Sequence, residues 1–252
     1  MTMKLKNLTL AAFMVATSSL LTACLNVDDD KHTSMGYYTV TGDYTKGYIL
    51  YQDGGGYIVP TASSVASLTN GKGFEDIERV LLSFTFQDKD LSEDKNSILG
   101  AELFSGESIP VIEPISLTTA TEKGVVSADS LFAVKGLTGL WAYRGFLTIG
   151  HAAHYAWNEK KNGYLYPTFN LVYCDTLQIP NELNLTLCHN ERRPKTGSTA
   201  GENTFTNSYR LDSIESLIPG KDSVKLNISM MGIDKPYTIK VAREDFHKNN
   251  WR

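Results

Sequence analysis

The residues with the clearest chemistry lie near the amino end, where Leu21-Thr22-Ala23-Cys24 closes an apolar segment that follows Lys4 and Lys6. A short basic start, an apolar stretch and small residues before a cysteine are typical of a bacterial lipoprotein signal peptide. The apolar stretch is too short for a spanning helix, which needs about 20 apolar residues. The pattern predicts that residues 1–23 are removed as the signal peptide and that Cys24 receives palmitate-like acyl chains. A plain secretory signal with an unrelated cysteine is the alternative.

The next segment, residues 24–36, has few apolar groups and predicts a flexible acidic tether between the lipid and the fold. Its three consecutive acids are Asp28, Asp29 and Asp30. An acidic cluster just after a lipidated cysteine resembles the surface-export signal of Bacteroidota-type lipoproteins. That resemblance implies an anchor in the outer membrane and display on the cell surface. A linker that is acidic only for solvation is the alternative.

The charge balance limits the classes of partner. Removing residues 1–23 takes away two of the 24 basic residues and none of the 28 acids, so 22 basic and 28 acidic residues leave a net charge of −6. Nucleic-acid binding needs clustered Lys and Arg, so we expect no nucleic-acid partner. A polybasic membrane contact is disfavoured for the same reason, which leaves the lipid anchor as the expected membrane attachment.

Two further cysteines, Cys174 and Cys188, could form a disulfide in an exported protein. If Leu171–Ile179 and Leu183–Cys188 form a hairpin around Pro180-Asn181-Glu182, Ile179 faces Leu183 and Cys174 faces Cys188. This register collects most apolar side chains on one face of the hairpin. The spacing therefore predicts a possible Cys174–Cys188 disulfide, with two unbridged thiols as the alternative.

The remaining polar clusters lack the spacing of known catalytic or metal sites. His151 and His154 lie in a strand-like context, which would direct them to opposite faces, and no further zinc ligands are evident. The acidic run Asp88–Asp94 lacks the glycine and terminal glutamate of a calcium loop and predicts a solvated hairpin tip. No serine lies in a nucleophile elbow. We therefore expect no catalytic residues, no metal, no cofactor and no enzymatic activity.

Aromatic residues are frequent in the sequence, and some of them could form an exposed platform for glycans or peptides. The candidates are Tyr44, Tyr57, Trp141, Tyr143 and Trp157. Aromatic side chains in an all-β chain more often pack into the core, because they suit half-buried pleated surfaces. Core packing is therefore the favoured interpretation of most of them.

Short runs of aromatic and β-branched residues between turns indicate strands from Tyr37 onward, so the predicted fold class is all-β. Asp53-Gly54-Gly55-Gly56 predicts a tight hairpin, since glycines supply positive φ. About five strands and a short helix at Thr61–Leu68 favour a small OB-like barrel over residues 37–138. A glycine-rich break precedes about six strands, which favour an immunoglobulin-like β-sandwich over residues 139–252. Val111-Ile112, between two prolines, predicts an edge strand.

Four groups of residues in the two predicted domains carry a family resemblance: Gly47–Leu50 with Gly54–Gly56, Asp175–Pro180, Leu183–Leu187 and Tyr209–Ile214. With these residues the chain resembles the NigD-like lipoproteins, a family described as an N-terminal OB domain followed by a C-terminal β-sandwich. They are packing and turn patterns, so the resemblance implies architecture and a lipid anchor but no active-site residues. The family takes its name from a bacteriocin operon, in which an immunity role was suggested.

These observations predict a lipid-anchored cell-envelope protein that acts as a non-enzymatic binding or accessory module. Its partner would be an unknown protein, peptide or glycan, reached through loops of the barrel or sandwich. A lipoprotein that confers bacteriocin immunity is the alternative. A contiguous exposed apolar or aromatic patch would identify the interaction site.

Overall fold

The computed structural model describes residues 30–127, 131–158, 163–174, 179, 181–190, 199–218 and 222–247. The chain divides into two compact units, residues 1–108 and 109–252. Both consist mainly of strands, which confirms the all-β prediction. None of the helices in the described ranges has the length and apolar character of a membrane span.

The first unit is a closed barrel of five strands in the order β1-β2-β3-β5-β4. The strands are β1 (Lys31–Asp43), β2 (Gly47–Gln52), β3 (Tyr57–Pro60), β4 (Arg79–Gln87) and β5 (Ser97–Ser108). β3 and β5 are parallel, and the other neighbours are antiparallel. α1 (Ala62–Leu68) connects β3 to β4 at the predicted place, capped by the Thr61 hydroxyl, which accepts a hydrogen bond from the Ser64 amide. The OB-like barrel is confirmed.

Alternation along the strands fills the barrel. Leu50, Ile58 and Phe84 are almost fully buried, whereas their strand neighbours face outward. The predicted hairpin joins β2 to β3, and all three of its glycines, at positions 54–56, have positive φ. A β-carbon at Gly56 would lie 2.3 Å from the carbonyl oxygen of Asn96, so both φ and close backbone approach require glycine there.

The tether prediction for residues 24–36 was wrong for residues 31–36, and the barrel domain therefore begins before Tyr37. These residues belong to β1 and pair with β4, from Lys31 opposite Gln87 onward. Most of their side chains are exposed, so apolar burial does not drive this strand. It forms because its backbone N–H and C=O groups pair with those of β4. Backbone pairing of this kind cannot be predicted from amino-acid composition.

The second unit contains two five-stranded sheets. The first has the order β10-β9-β13-β6, with β8 also paired to β9, and the second has the order β15-β14-β12-β11-β7. The first sheet comprises β6 (Val111–Ile112), β8 (Gly136–Tyr143), β9 (Phe146–Asn158), β10 (Gly163–Leu165) and β13 (Thr199–Arg210). The second comprises β7 (Ile115–Ser116), β11 (Thr168–Tyr173), β12 (Glu182–Asn190), β14 (Ser223–Met230) and β15 (Tyr237–Ala242).

Side chains from both sheets form one core, in which Ile149 of β9, Leu185 of β12 and Leu226 of β14 are fully buried or nearly so. This arrangement confirms the predicted β-sandwich. Three pairings are parallel, namely β12 with β14, β11 with β7 and β13 with β6. An immunoglobulin sandwich has antiparallel sheets, so this one differs in topology. Val111-Ile112 forms the terminal strand β6, as predicted for an edge.

The predicted domain boundary between residues 138 and 139 was wrong, because the second unit begins at Ile109. The predicted glycine-rich break falls mostly within β8, which has a bulge between Leu137 and Gly139. A β-carbon at Gly139 would lie 2.7 Å from Cζ3 of Trp141. The glycine therefore makes room for an indole inside a strand, a use that composition does not distinguish from a flexible break.

Candidate ligand-binding surface

Four aromatic side chains form a contiguous surface at the end of the first sheet of the sandwich: Tyr155 and Trp157 on β9, Tyr164 on β10, and Tyr166 just after it. We call this set the aromatic platform. The exposed fractions are 43% for Trp157, 54% for Tyr164 and 52% for Tyr166, and Tyr155 is half-buried. Large apolar side chains that are both exposed and contiguous mark interaction sites.

The rings of the platform contact one another. The ring centroid of Tyr164 lies 4.9 Å from that of Trp157 and 5.2 Å from that of Tyr155, with interplanar angles of 76° and 84°. Tyr166 lies 6.0 Å from Tyr155 and 6.2 Å from Tyr164. These distances and tilts are those of favourable edge-to-face and tilted aromatic pairs. The rings therefore support one another in a defined arrangement.

The platform continues the inner face of the sandwich. Along β9, Leu147, Ile149 and Ala153 point into the core and are fully buried. Tyr155 and Trp157 follow at the same two-residue spacing and share that face, but they emerge into solvent. The pairing of Tyr164 with Trp157 places the Tyr164 ring on the same face.

A glycine of the neighbouring strand shapes the platform. Gly201 of β13 pairs with Tyr155, next to a bulge in β13. A β-carbon at Gly201 would lie 2.6 Å from the Tyr155 hydroxyl and 2.9 Å from its Cζ atom. The Tyr155 ring thus lies across the strand in space that only glycine leaves open.

The platform is joined to the core by a second set of rings, which we call the histidine cluster: His151, Phe169, His189 and Phe205. The Phe205 centroid lies 6.2 Å from that of Tyr166 and 5.4 Å from that of Phe169. Phe169 in turn lies 4.0 Å from His151 and 5.1 Å from His189. An unbroken series of ring contacts therefore links the exposed surface to both buried imidazoles.

His151 and His154 lie on opposite faces of β9, as predicted. His151 is fully buried, whereas His154 is half-buried and its Nδ1 lies 3.3 Å from the carbonyl oxygen of Gly201. Burial lowers the pKa of His151 to about 4, and His189 contributes to the same direction; the backbone of Ile149 offsets part of the shift. Within the described residues, no group of three or more His, Cys, Asp and Glu side chains is placed to hold a metal ion.

The predicted hairpin register of Cys174 and Cys188 was wrong, and no disulfide joins them in the structure. Cys188 lies opposite Asn170, and Leu185 lies opposite Tyr173. Cys174 follows the last residue of β11 and is four residues beyond Asn170, or about 13 Å at strand spacing, which exceeds the reach of a disulfide. The connection between the strands is longer than the three residues assumed. The observed pairing is shifted by four residues from the predicted one, and because four is an even number the same faces stay buried and alternation alone cannot detect the error.

Cys188 instead packs outside the second sheet. It is fully buried together with Val172 and Ala120, the latter from α2 (Leu117–Glu122). This burial raises the pKa of its thiol to about 11. The residue is a small apolar packing element here, which is common for buried cysteines.

The other sequence candidates are scattered. Tyr44 is 55% exposed near the end of β1, whereas Tyr57, Trp141 and Tyr143 are half-buried in their strands. The acidic run at 88–94 forms an exposed turn between β4 and β5, in which Asp94 accepts hydrogen bonds from Ser92 and Asn96. Cys24, Asp28 and Asp29 lie outside the described residues.

Sequence reasoning found Trp157 but missed Tyr155, Tyr164 and Tyr166. The available signal was the Tyr-x-Trp and Tyr-x-Tyr spacing on both sides of residues 158–163, because alternate residues of a hairpin share one face. That signal identifies a shared face, but it cannot show whether a second sheet covers the face.

No protein-family model and no curated protein matches the sequence. The structure is similar to a NigD-like immunity protein from Bacteroides caccae, with 14% identity, a TM-score of 0.53, and coverage of 83% of this chain and 92% of that one. The chain has the NigD-like fold. A candidate lipoprotein from Bacteroides fragilis matches with 11% identity, a TM-score of 0.55, and coverage of 83% and 96%. A Bacteroides vulgatus protein of unknown function matches with 16% identity, a TM-score of 0.53, and coverage of 83% and 90%. These likenesses confirm the predicted resemblance in its architecture.

Proposed function

We propose that this chain is a lipid-anchored envelope protein that binds a neutral glycan on the aromatic platform and catalyses no reaction. The observation that carries the proposal is the contact of four aromatic rings at one surface, three of them more than 40% exposed. Such a surface is costly to leave in water, so it indicates a ligand.

The chemistry of the platform favours a sugar ring over other ligands. Pyranose rings have apolar C–H faces and a rim of hydroxyl groups, and aromatic faces pack against the former. The tyrosine hydroxyls and the exposed Asn203, which shares this face of β13, offer hydrogen bonds to the rim. Among the described residues of β9, β10 and β13, the positions on this face carry no formal charge, which suits a neutral ligand.

The anchor part of the proposal rests on Leu21-Thr22-Ala23-Cys24, together with the fold shared with a candidate lipoprotein. Asp28–Asp30 support placement in the outer membrane with the fold on the cell surface. Replacing Cys24 tests this part separately. We expect Cys24→Ala to abolish labelling by a palmitate analogue and to release the protein from the membrane fraction. Unchanged labelling and fractionation would refute the anchor.

Binding is tested on an array of neutral oligosaccharides, followed by calorimetry with the strongest hit. We expect Trp157→Ala and Tyr164→Ala each to weaken binding by about 5- to 30-fold, the equivalent of about 1–2 kcal/mol for one stacked ring. The matched control is Tyr44→Ala, because Tyr44 is equally exposed but belongs to the barrel unit.

Three outcomes would contradict the proposal. Wild-type protein that binds none of the oligosaccharides but binds an extended peptide would refute the glycan. Equal losses in Tyr44→Ala and Trp157→Ala would refute the platform as the site. Release of new reducing ends during overnight incubation with the bound oligosaccharide would refute a purely binding role.

A second candidate function is favoured by one comparison, the shared fold with a protein described as a NigD-like immunity protein. In this alternative the chain sequesters a bacteriocin at the membrane. Deletion of the gene would then sensitise cells to a neighbouring strain's bacteriocin, and expression of wild-type protein, but not of Cys24→Ala, would restore resistance. Unchanged sensitivity after deletion would remove this candidate.

A further inference from the structure

Two imidazoles are buried in the core of the sandwich, among side chains that are mostly aliphatic and aromatic, with the amide of Asn207 on the same face of β13. His151 of β9 is fully buried, and His189 of β12 is 1% exposed. Neither ring nitrogen of His151 makes a hydrogen bond of good geometry within the described residues, and the Ile149 backbone only partly offsets the lowering of its pKa by burial. Nδ1 of His189 lies 3.3 Å from the carbonyl oxygen of Ala133. A buried polar group without a partner lowers stability, so its presence calls for an explanation.

The surroundings of His151 contain no counter-charge. The titratable groups that face the core from the packed strands are His189 on β12, Tyr173 on β11, Tyr209 on β13 and Tyr155 on β9. β8 contributes Leu137 and other apolar residues, and residues 131–134 contribute no titratable group. Among the described inward-facing positions of these strands there is no Lys, Arg, Asp or Glu.

The His151 ring lies in the first sheet, and it contacts a ring of the second sheet as well as the ring that leads to the aromatic platform. His151 belongs to the first sheet and contacts Phe169 of the second at 4.0 Å between centroids. It also stacks with Phe205 at 6.2 Å, and Phe205 contacts Tyr166 of the platform. A change in the charge of His151 therefore acts on the contact between the sheets and on the support of the platform.

We propose that the histidine cluster is an acid-responsive element, in which protonation of His151 separates it from Phe169 and loosens the aromatic platform above it. A charged imidazolium without a partner is strongly disfavoured in an apolar core, so the protonated form has to move toward water. Tight packing around the cluster prevents a small local adjustment and transmits the displacement to Phe205 and Tyr166. The inference concerns the fold itself and stands whether or not the platform binds a glycan.

The direction follows from linkage. The pKa of His151 is about 4 in the folded chain, mainly through burial, against an ordinary value of 6.5. The unfolded chain therefore binds the proton more tightly, and stability is lost as the pH falls from 6.5 toward 4. Between pH 7 and pH 5 these values raise the opening equilibrium constant of the sandwich about 20-fold.

The test follows histidine NMR signals and amide hydrogen exchange of the full chain between pH 7.5 and pH 4.5. We expect His151 to titrate well below its ordinary pKa of 6.5, and protection of β9, β13 and residues 163–166 to fall about 20-fold from pH 7 to pH 5 after correction for intrinsic exchange. His151→Phe should reduce the change to about threefold or less. His151→Leu provides a smaller apolar replacement if Phe is too large.

The matched control is His154→Gln, because His154 lies on the same strand but on the opposite face. It should retain the full acid response of the wild type. A wild-type platform whose protection is independent of pH would overturn the proposal. So would an acid response that persists unchanged in both His151 variants, or an ordinary titration of His151 near pH 6.5.

Discussion

Breaking the buried ion pair of the barrel should be one of the most destabilising single changes in the first unit. Arg79 is 1% exposed and Asp53 is 10% exposed. The guanidinium donates two hydrogen bonds to the Asp53 carboxylate, from Nη1 to Oδ1 at 2.6 Å and from Nη2 to Oδ2, and a third from Nη1 to the Thr39 hydroxyl at 2.8 Å. The pair joins the β2–β3 hairpin to β1 and β4.

The perturbation is Asp53→Asn, which keeps the shape of the side chain and removes its charge. A buried ion pair that loses one partner typically costs about 3–5 kcal/mol, because the other charge remains without compensation. The amide that replaces the carboxylate keeps one acceptor oxygen, so we expect the lower part of this range, about 3 kcal/mol. The double variant Asp53→Leu/Arg79→Met should be much closer to the wild type, since it removes both charges together.

The assay is hydrogen exchange of the barrel strands, because a chain of two units does not justify a single two-state transition. Lys46→Ala serves as the control: it breaks the exposed Lys46–Asp43 pair, whose side chains are 84% and 48% exposed, and should cost less than about 1 kcal/mol. The reasoning is refuted if Asp53→Asn costs no more than Lys46→Ala, or if the double variant is less stable than Asp53→Asn.

Two predictions concern the second unit. At pH 8 iodoacetamide should label Cys174 in the native protein but not Cys188, whose pKa is raised to about 11 by burial, and both should react after denaturation without a reductant. Equal native labelling, or no labelling until a reductant is added, would contradict the structure. Gly201→Ala should displace the Tyr155 ring and cost about 1–3 kcal/mol, as overpacking usually does, with a change in the near-ultraviolet circular dichroism of the platform. Gly136→Ala is its control, since no atom lies within 4 Å of a β-carbon there; an equal effect of both variants would show that Tyr155 does not depend on Gly201.

The sequence predictions succeeded where local preferences decide the structure and failed where contacts between distant residues decide it. Strands, the glycine hairpin and the helix at residues 61–68 were predictable, because local alternation and backbone preference decide them. The β1 residues 31–36 were not, since their reason for being extended is a partner strand more than 40 residues away. Gly139 was predicted to lie in a break between domains, because the Trp141 ring that requires a glycine there is evident only in the folded sheet.

The hairpin of Cys174 and Cys188 shows the same limit. Alternation in the sequence correctly predicts which face of each strand is buried, and Leu183, Leu185 and Leu187 share the buried face of β12. It does not determine the register, because a shift of four residues, like any even shift, preserves every face. In the fold, one face of this strand pair packs against α2 and the other against the first sheet, and the register places Cys188 opposite Asn170.

The sequence by itself determined the all-β class, the acidic balance and the predicted anchor at Cys24, because each depends on composition or on residues that are neighbours in the chain. Only the tertiary structure decided that Trp157 and three tyrosines form one exposed surface, and that His151 lies buried beneath it. Alternate residues of β9 share one face along the whole strand. That face is buried as far as Ala153, and Trp157 is exposed. Exposure depends on what lies above a side chain, which is a property of the assembled sandwich.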